Sequence, residues 1–522
     1  MAARAGGRRC FVPDREVPAH PGRCSRRPDG RNARDSDRRS GLGVVGRGDL
    51  GPGIGRGNRP SVRRRLRAGR CAPRVAEHEW GAVHSLHRHA ESPRRKSHRS
   101  LTSEPGAVAR ERCRRHGHTQ GTKGSNVEGS SAAAPLSGVR LLAVENFVSG
   151  PYGSMMLADF GADVIKVESP EGDGYRAASP NYHTDAGDMS FAFLRVNRNK
   201  RSVVLDLKSP DGRAAFLDLV ETSDVVWENL RSGAMDRLGL GWRELRARNP
   251  RLVYASISGF GHGDVLPPGP YTDLPAFDIV AQAMSGAMLT IGKEGDPPMY
   301  LGSPIADQLA GMLSAFGVVL ALRSVELTGE GQHVDTAMYD VMVALNEQLI
   351  GHVSHFGELP RRGLSPTSAP YGAFRARDGW VAIGIASDAI WRRFCIAIGR
   401  PELVDDAELA TGLARSARQE ATLRPIIETW AVNRTALEVT MHLSAAGVPA
   451  GPVQDVSQLF DDPQVAAREM LMDVEDPVVG RLTVAGNPIK ISGPWRVPRR
   501  PAPQLGADQA LVAELRARVR RR

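Results

Sequence analysis

The sequence is poor in cysteine and in aromatic residues. Its 522 residues include 5 cysteines, and Phe, Trp and Tyr together make up 5% of the chain. Four of the cysteines precede residue 130: Cys10, Cys24, Cys71 and Cys113. Their spacings match no zinc-ligand pattern. The fifth, Cys395, has no possible disulfide partner in the rest of the chain. We therefore expect no metal site and a reducing, cytoplasmic environment.

Long hydrophobic runs are also missing. No stretch approaches the roughly 20 consecutive apolar residues that a transmembrane helix needs. No secretory signal pattern occurs either. At 522 residues the chain is too long for one hydrophobic core, because single cores stop growing at about 250–300 residues. We expect more than one domain and no membrane segment.

The net charge of +11 is unevenly distributed. Residues 1–130 carry 28 Arg and 2 Lys against 12 acidic residues, a net charge of +18, and the remainder carries a net charge of −7. Because the first part shows no apolar periodicity, we expect a disordered, Arg-rich leader over 1–133. Three explanations for it stay open: an over-extended start, an organellar targeting segment, or a basic arm for nucleic acid or a partner. The acidic remainder argues against nucleic acid as the main partner.

Strands and helices alternate from Val139 onward. Apolar runs predict strands at 139–144, 164–168, 203–206, 224–228, 252–257 and 333–337. Helices are expected between them, which predicts an α/β fold with a doubly wound parallel sheet. Ser209 followed by Pro210 marks one helix start, since Ser suits the N-cap and Pro the first helical position. A turn at 149–151 is expected to precede a helix at 152–160, and one helix is expected over 339–356.

The sequence changes character at a loop over 360–366. Two short strands follow within 371–390, with helices around 389–398 and 417–446. These predict a smaller α+β domain over 357–446. The large domain would then span 134–356 and be completed by a return segment over 447–505. A basic helical tail is expected over 506–522.

Asp307 is the candidate catalytic residue. It follows the turn Gly302-Ser303-Pro304 and opens a long apolar helix in which Leu309, Leu313 and Phe316 recur at helical spacing. A carboxylate in the first turn of a helix is stabilised by the helix dipole, by roughly 0.3–1 kcal/mol. From this segment alone, a purely structural role for Asp307 stays an open alternative.

Six short motifs give Asp307 a chemical context. They are Ser149-Gly-Pro151 with Leu157–Glu168, Asn199–Ser202 with Leu205–Lys208, Glu228-Asn229, Gly233–Gly239, Ser258–Gly261 and Ala306-Asp307. In this order and spacing they resemble the class III CoA-transferases, a family that includes formyl-CoA transferase and the carnitine and bile-acid CoA-transferases. Racemases of 2-methylacyl-CoA are relatives. The resemblance covers 136–500 and no part of the leader.

The resemblance implies a reaction and a binding site. Asp307 would attack an acyl-CoA thioester to form a mixed anhydride, which the CoA thiolate converts into an aspartyl-CoA thioester. CoA then passes to a free carboxylic acid, with acyl-CoA as substrate and no tightly bound cofactor. The positions that match CoA-binding residues are Val148, Leu205, Lys208, Asn229 and Arg237. Of these, Lys208 and Arg237 would meet phosphates, Asn229 the pantetheine or nucleotide, and Leu205 the adenine.

The resemblance also implies a Rossmann-like large domain and an interlocked homodimer, in which each chain passes through a ring formed by the other. The chain departs from the family at three places. Ser169 replaces an expected basic contact, so adenosine-phosphate recognition must differ or use Arg176 or Lys200. The region 364–370, which corresponds to a glycine-rich lid, has no glycine run. Phe277 stands where the racemases carry a histidine.

Two other functions remain open at this point. A racemase needs a second acid or base to exchange a proton at C2, and Phe277 does not supply one, so transfer is the favoured activity. A non-enzymatic binding protein built on the basic leader is the alternative from a different class. The identity of the acid is not readable from these motifs.

Overall fold

The computed structural model describes residues 133–185 and 187–521. The predicted leader, with its four cysteines, therefore lies outside the described residues except for Ala133. Cys395 is buried and free.

The described residues contain 13 strands. These are β1 (Arg140–Val144), β2 (Asp163–Glu168), β3 (Asn181–Thr184), β4 (Gly187–Ser190), β5 (Arg201–Val204), β6 (Val225–Glu228), β7 (Val253–Ser258), β8 (His333–Ala337), β9 (Tyr371–Arg375), β10 (Trp380–Gly384), β11 (Ala450–Pro452), β12 (Leu471–Asp476) and β13 (Gly480–Ala485).

They also contain 15 α-helices. These are α1 (Ser149–Asp159), α2 (Phe191–Leu194), α3 (Pro210–Val220), α4 (Ala234–Arg237), α5 (Trp242–Arg248), α6 (Asp278–Met284), α7 (Ile305–Thr328), α8 (Met338–Leu345), α9 (Glu347–Phe356), α10 (Asp388–Ala397), α11 (Gly412–Ala417), α12 (Arg424–Ala431), α13 (Ala436–Ala445), α14 (Pro463–Ala467) and α15 (Ala510–Val519).

The strands between residues 140 and 337 include a six-stranded parallel sheet, which forms the centre of this region. Its strand order is β5-β2-β1-β6-β7-β8, and every neighbouring pair is parallel. The order reverses between β1 and β6, as in doubly wound sheets. Side chains alternate between the two faces, so Leu141 packs in the core with α1 and α7, whereas Leu142 packs on the opposite face with α3 and α5. The predicted α/β architecture is confirmed.

Two helices differ from the sequence prediction. The expected turn at 149–151 is the first turn of α1, which begins at Ser149. Pro151 is tolerated there because the first N–H groups of a helix have no partner within the helix. The single helix expected over 339–356 breaks at Asn346 into α8 and α9, and the Asn346 amide donates to the carbonyl of Ser285 (2.7 Å). The N-cap predicted at Ser209 is confirmed by its bond to Gly212 N–H.

The helix α7 also departs from the prediction that no segment could cross a membrane. By length and composition it is long and apolar enough, with a mean hydropathy of 1.7 over 18 residues. Counting uninterrupted apolar residues missed it because Gln308 and Ser314 break the run without lowering the average much. One such helix is weak support for a membrane span, since core helices pass the same test. Its buried side, which includes Ala310, Ser314 and Val318, faces the interior of the molecule.

A second, antiparallel sheet of order β11-β10-β9 has its own hydrophobic core, built with α10, α12 and α13. Strand β11 belongs to this sheet although it lies within the predicted return segment. The hairpin β12–β13 follows, and Leu482 from it packs against Phe193 and Leu194. The predicted helical tail contains α15, which packs on α3 through Val512 and Leu515. The proposed domain limits stay predictions.

Candidate active site

The crevice beside α1 opens where the strand order reverses. β1 ends at Val144 and β6 ends at Glu228, and the two strands pair in parallel. In open parallel sheets, ligands bind outside the carboxyl ends of the strands at this position. The chain runs from β1 through a short loop into α1, while Asn229 follows β6 directly. The expected CoA-binding residues Val148 and Asn229 therefore meet here.

Asn229 joins the two loops. Its Oδ1 accepts a hydrogen bond from the backbone N–H of Asn146 (2.8 Å). Its Nδ2 donates to the carbonyl of Asn146 (2.8 Å) and to Ser149 Oγ (3.0 Å). The amide thus fixes the entry to α1, and its contact with CoA stays a prediction.

A buried group of charges supports the first turn of α1. Lys200 Nζ lies 2.7 Å from Glu145 Oε1 and donates to the carbonyl of Pro151 (2.9 Å). Ser154 Oγ donates to Glu145 Oε2 (2.8 Å), and Lys166 Nζ donates to the carbonyl of Glu145 (3.0 Å). Burial lowers the pKa of Lys200 to about 8, although the Glu145 carboxylate opposes the shift. Burial raises the pKa of Glu145, but the two lysines outweigh it and the net shift is downward. The Glu145 carboxylate and the Lys200 ammonium group therefore form a charged pair at neutral pH.

Asp307 lies in the first turn of α7, half-buried and next to α1. Burial and, after it, the negative charge of Asp278 raise its pKa, which reaches about 7. The positive charge of Arg195 and a hydrogen bond from Ser149 act in the opposite direction. A carboxylate that titrates near neutrality is more basic than an ordinary aspartate and is still partly ionised at pH 7. This combination suits a nucleophile.

Asp278 begins α6 and caps α7. Its Oδ1 accepts hydrogen bonds from the backbone N–H groups of Ala306 (2.7 Å) and Asp307 (3.3 Å). Its Oδ2 accepts a hydrogen bond from Gln282 Nε2 (2.6 Å). Sequence analysis did not identify Asp278, because its partners lie on a different helix and no local pattern marks that contact.

The close crossing of α1 and α7 fixes the position of Asp307. A Cβ built on Gly153 would lie 2.4 Å from the carbonyl oxygen of Gly311, and one built on Gly311 would lie 2.4 Å from the carbonyl oxygen of Ser149. Only glycine at both positions lets the two backbones come this close. Ser149 thereby reaches the side chain of Asp307.

Aromatic side chains border the crevice. The ring of Phe147 makes edge contacts with Tyr175 (5.3 Å between centroids) and with Phe277 (6.0 Å). Phe147 has a φ of 62°, in the left-handed region that few aromatic residues adopt. Burial raises the pKa of Tyr300, and the carboxylate of Asp307 adds to the shift, so Tyr300 also lies near this site. These rings give the border of the crevice an apolar surface, in which Phe277 is 66% exposed.

The other expected CoA-binding residues lie at the same edge of the sheet. Leu205 follows β5 and is buried, and Lys208 is exposed in the turn between β5 and α3. Arg237 ends α4, after β6, and its guanidinium covers Gly233. Neither Lys208 nor Arg237 makes an ion pair with any part of the chain that the structure describes. Both cations are therefore available to phosphates.

The two substitutes suggested for the missing basic residue at Ser169 are already engaged. Arg176 binds both oxygens of the Glu168 carboxylate at 2.7 Å and also donates to the carbonyl of Pro503. Lys200 is buried against Glu145. Of the four basic residues named for the phosphates, Lys208 and Arg237 are the two without an ion pair in the described residues, and their contact with CoA stays a prediction.

The segment 364–370 packs on the small sheet's helices. The carbonyl of Ser365 accepts a hydrogen bond from Ser416 Oγ (2.6 Å). The carbonyl of Ala369 accepts one from Arg415 Nε (3.1 Å), and Arg415 is paired with Asp388 (2.7 Å). Hydrogen bonds to neighbouring helices thus hold this segment, which has no glycine run.

Within 133–185 and 187–521, no group of three or more His, Cys, Asp or Glu residues could hold a metal ion.

The family model for CoA-transferase family III matches residues 136–509. The succinyl-CoA:mesaconate CoA-transferase of Haloarcula hispanica is 41% identical over 383 residues, which cover 72% of this chain and 94% of that protein. The succinate–glutarate CoA-transferase of Agrobacterium fabrum is 37% identical over 388 residues, or 73% of this chain and 96% of that protein.

Solved structures give the same picture. The crystal structure of a CAIB/BAIF family protein from Brucella suis superposes with a TM-score of 0.64 at 33% identity. The match covers 73% of this chain and all of that protein. Its coverage corresponds to the region that carries the six motifs.

Proposed function

The chain belongs to CoA-transferase family III, and on that basis we propose that it moves CoA from an acyl-CoA thioester to a free carboxylic acid through covalent intermediates on Asp307. It is an enzyme of the CoA-transferase type. The observation that carries the detailed proposal is the half-buried carboxylate of Asp307, whose pKa of about 7 combines basicity with partial ionisation.

The first half of the reaction loads the enzyme. An oxygen of Asp307 attacks the thioester carbonyl carbon, the C–S bond breaks, and the thiolate leaves with the electron pair. The product is a mixed anhydride between Asp307 and the acyl group. The thiolate then attacks the Asp307 carbonyl carbon, which releases the donor acid as its carboxylate and leaves an aspartyl-CoA thioester.

The second half repeats these steps in reverse order with the acceptor. The incoming carboxylate attacks the aspartyl thioester and displaces the thiolate, which gives a new mixed anhydride. The thiolate attacks the acyl carbon of this anhydride, so a new acyl-CoA forms and Asp307 is regenerated. The thioester energy is carried over from donor to product, so no ATP is consumed.

Oxyanions that form during these attacks need hydrogen-bond donors. The backbone N–H groups of Ser149 and Gly150 begin α1 and have no acceptor among the residues that the structure describes. They lie beside Asp307, because Ser149 contacts its carboxyl. We assign them to oxyanion stabilisation, with the positive end of the α1 dipole acting in the same direction.

For CoA, exposed Lys208 and Arg237 would bind phosphates, and buried Leu205 would contact the adenine. Val148 and Asn229 would border the pantetheine next to the start of α1. Racemisation is less favoured, because Phe277 has no group that exchanges protons and its ring packs against Phe147.

Replacing Asp307 tests the mechanism. The Asp307→Ala variant should fold and lose all transfer of CoA, since the covalent steps have no other nucleophile. In the unaltered protein, hydroxylamine added during turnover should modify Asp307, read by peptide mass spectrometry. Transfer by the alanine variant at the normal rate would overturn the mechanism.

The assembly and location are further proposals. An interlocked homodimer would cover the apolar side of α7, where Phe316 is 60% exposed and Leu320 is 54% exposed. Such a pair cannot separate without unfolding, so light scattering should give about twice the 56.3 kDa chain mass even after dilution to nanomolar concentration. An active monomer would contradict this. The buried free thiol of Cys395 supports a cytoplasmic location.

A further inference from the structure

A small cavity opens at the start of α7 and is not used by the proposed chemistry. It has a volume of about 230 Å³ and lies between α1, the segment 191–198, the start of α7 and the segment 483–488. Its lining includes Tyr152, Arg195, Arg198, Gln308 and Asn487. Gln308 follows Asp307 in the first turn of α7, so the cavity lies at the end of the helix that carries the candidate nucleophile.

One arginine of this cavity is neutralised. Arg198 Nε donates to one oxygen of Asp159 (3.0 Å) and its Nη2 to the other (2.6 Å). Asn199 and Asn487 also donate to the same carboxylate, at 2.7 and 3.2 Å. The Asp159 carboxylate is therefore fully satisfied, and this part of the wall carries no net charge.

Arg195 differs from Arg198. It is half-buried, and among residues 133–185 and 187–521 its side chain has neither an ion pair nor a hydrogen bond. An arginine that is partly removed from water without a partner is costly, and a planar guanidinium is shaped for a carboxylate. The hydroxyl of Tyr152 and the amide of Gln308 add polar groups to the same wall. Arg195 thus brings to the cavity a positive charge that no ion pair neutralises within the described residues.

The position of Arg195 relates this charge to the reaction. Its charge lowers the pKa of Asp307, against the effect of burial, so the two groups are close enough to interact. A substrate held covalently at Asp307 could extend from that carboxyl into the cavity. At roughly 30 Å³ for each water-sized volume, the cavity can hold a carboxylate with a short carbon chain.

We propose that Arg195 binds the distal carboxylate of a dicarboxylic acid whose other carboxyl group reacts at Asp307. Dicarboxylic acids of about four or five carbons are thus the substrate class. This inference rests on the proposed function, because it assumes that Asp307 forms the acyl intermediate. Arg195 is a specificity-determining residue that touches the substrate but takes no part in bond making.

The test compares acids that differ only at the distal end. Propionyl-CoA is the donor, and the acceptors are the pairs succinate with butyrate and glutarate with valerate, with the product acyl-CoA read by mass spectrometry. The unaltered protein should prefer each dicarboxylate. In Arg195→Met the ratio of kcat/KM for dicarboxylate over monocarboxylate should fall roughly 10- to 100-fold, the usual effect of losing a hydrogen-bonded charge. The monocarboxylate rates should fall far less.

Two controls separate specificity from general damage. Arg392 is exposed in α10 and makes no ion pair in the described chain, so Arg392→Met should keep the preference. Arg195→Lys keeps the positive charge and should restore part of the preference. All assays run at pH 8.5, above the Asp307 pKa of about 7 in the unaltered protein. A pH profile of each variant checks that its rate has reached a plateau there, so that the loss of the Arg195 charge does not act through the ionisation of Asp307.

The outcomes distinguish this inference from the proposed function. If both acids of a pair are converted and Arg195→Met leaves the ratio unchanged, the dicarboxylate site is overturned while the transfer mechanism stands. An equal loss for both acids also overturns it, because Arg195 would then support the fold or the chemistry. If the unaltered protein transfers CoA to none of the four acids and hydroxylamine leaves Asp307 unmodified, the proposed function fails, and this inference fails with it.

Discussion

The carboxylate of Asp278 accepts the backbone N–H of Asp307 at 3.3 Å, so a second acid lies directly beside the candidate nucleophile. This hydrogen bond completes the start of α7 while the charge of Asp278 raises the pKa of Asp307. Asp278 therefore contributes both to the position of Asp307 and, after burial, to its raised pKa.

The first prediction follows from that contact. Asp278→Asn keeps an oxygen that can accept the Ala306 N–H but removes the negative charge. The pKa of Asp307 should fall below its value of about 7, so activity should persist to lower pH. The measurement is kcat/KM against pH, in which the acid limb of the variant moves to lower pH. The exposed Asp273 on the preceding loop supplies the control Asp273→Asn, for which no shift is expected. If the acid limb of the pH profile lies at the same pH in Asp278→Asn, a group other than Asp307 controls that limb.

Gly153 allows a second prediction. A Cβ at this position would lie 2.4 Å from the Gly311 carbonyl oxygen and 2.7 Å from the Trp227 ring. Gly153→Ala should therefore lower the free energy of unfolding by about 1–3 kcal/mol, the usual cost of overpacking, and reduce kcat as α7 moves. Denaturant unfolding measures the first effect. In Gly351→Ala on α9 the new methyl group meets nothing within 4 Å, so that variant should be as stable as the parent or more stable. Equal stability of both variants would show that the helices can separate easily.

Arg237 tests the phosphate contact. Because the proposed contact lies far from the reacting carbonyl, Arg237→Ala should raise KM for acyl-CoA more than it lowers kcat. Steady-state kinetics over a range of acyl-CoA concentrations makes the comparison. Arg251 is an exposed arginine before β7, at the opposite edge of the sheet, and Arg251→Ala should leave both constants unchanged. A lower kcat at constant KM would assign Arg237 to the chemistry or the fold.

A buried acid near the edge of the sheet predicts a pH-dependent stability. Glu228 Oε1 lies 3.4 Å from His262 Nε2. Burial raises the pKa of Glu228 to about 8, and burial lowers the pKa of His262. At neutral pH the pair is therefore uncharged, although its distance resembles that of an ion pair.

The sign of this effect follows from linkage. Between its unfolded pKa of 4.5 and its folded pKa of about 8, Glu228 is protonated in the folded chain and ionised in the unfolded chain. Stability is thus highest below pH 4.5 for this group and is lost as pH rises to 8, with a slope approaching about 1.4 kcal/mol per pH unit. In Glu228→Gln the free energy of unfolding should decrease less between pH 5 and 8 than in the unaltered protein. An exposed counterpart, Glu330→Gln, should show the full decrease. A slope that both variants share would have another origin.

The leader gives the last prediction. A chain that begins at Ser130 should be as active as the whole, because the charge imbalance is confined to residues 1–130 and the family match begins at 136. Activity and solubility of the two chains are compared directly. Failure of the shorter chain to fold would give the leader a structural role.

The parallel sheet and the family could be predicted from local patterns in the sequence. Apolar runs placed the strands of the parallel sheet within one or two residues, and Asp307 was recognised from its motif. The residues that shift the pKa of Asp307 could not be predicted. Asp278 and Arg195 act on it through tertiary contacts, which produce no periodic pattern in the sequence. For the same reason, Arg176 and Lys200 were considered as phosphate ligands although Glu168 and Glu145 already hold them. The break at Asn346 depends on its bond to the carbonyl of Ser285, which sequence spacing does not reveal.

The glycine crossing of α1 and α7 has a consequence for how this enzyme can diverge. At Gly153 and Gly311 the backbones of α1 and α7 contact each other directly, so no variable side chain lies between Ser149 and α7. The position of Asp307 therefore does not depend on such a side chain. Arg195, which we propose binds the distal carboxylate, and Phe277, which borders the crevice, belong to other segments. Acid preference can therefore change by substitution at those positions while the reacting carboxylate stays in register. Redesign for a new acid should alter that outer wall and leave the two glycines untouched.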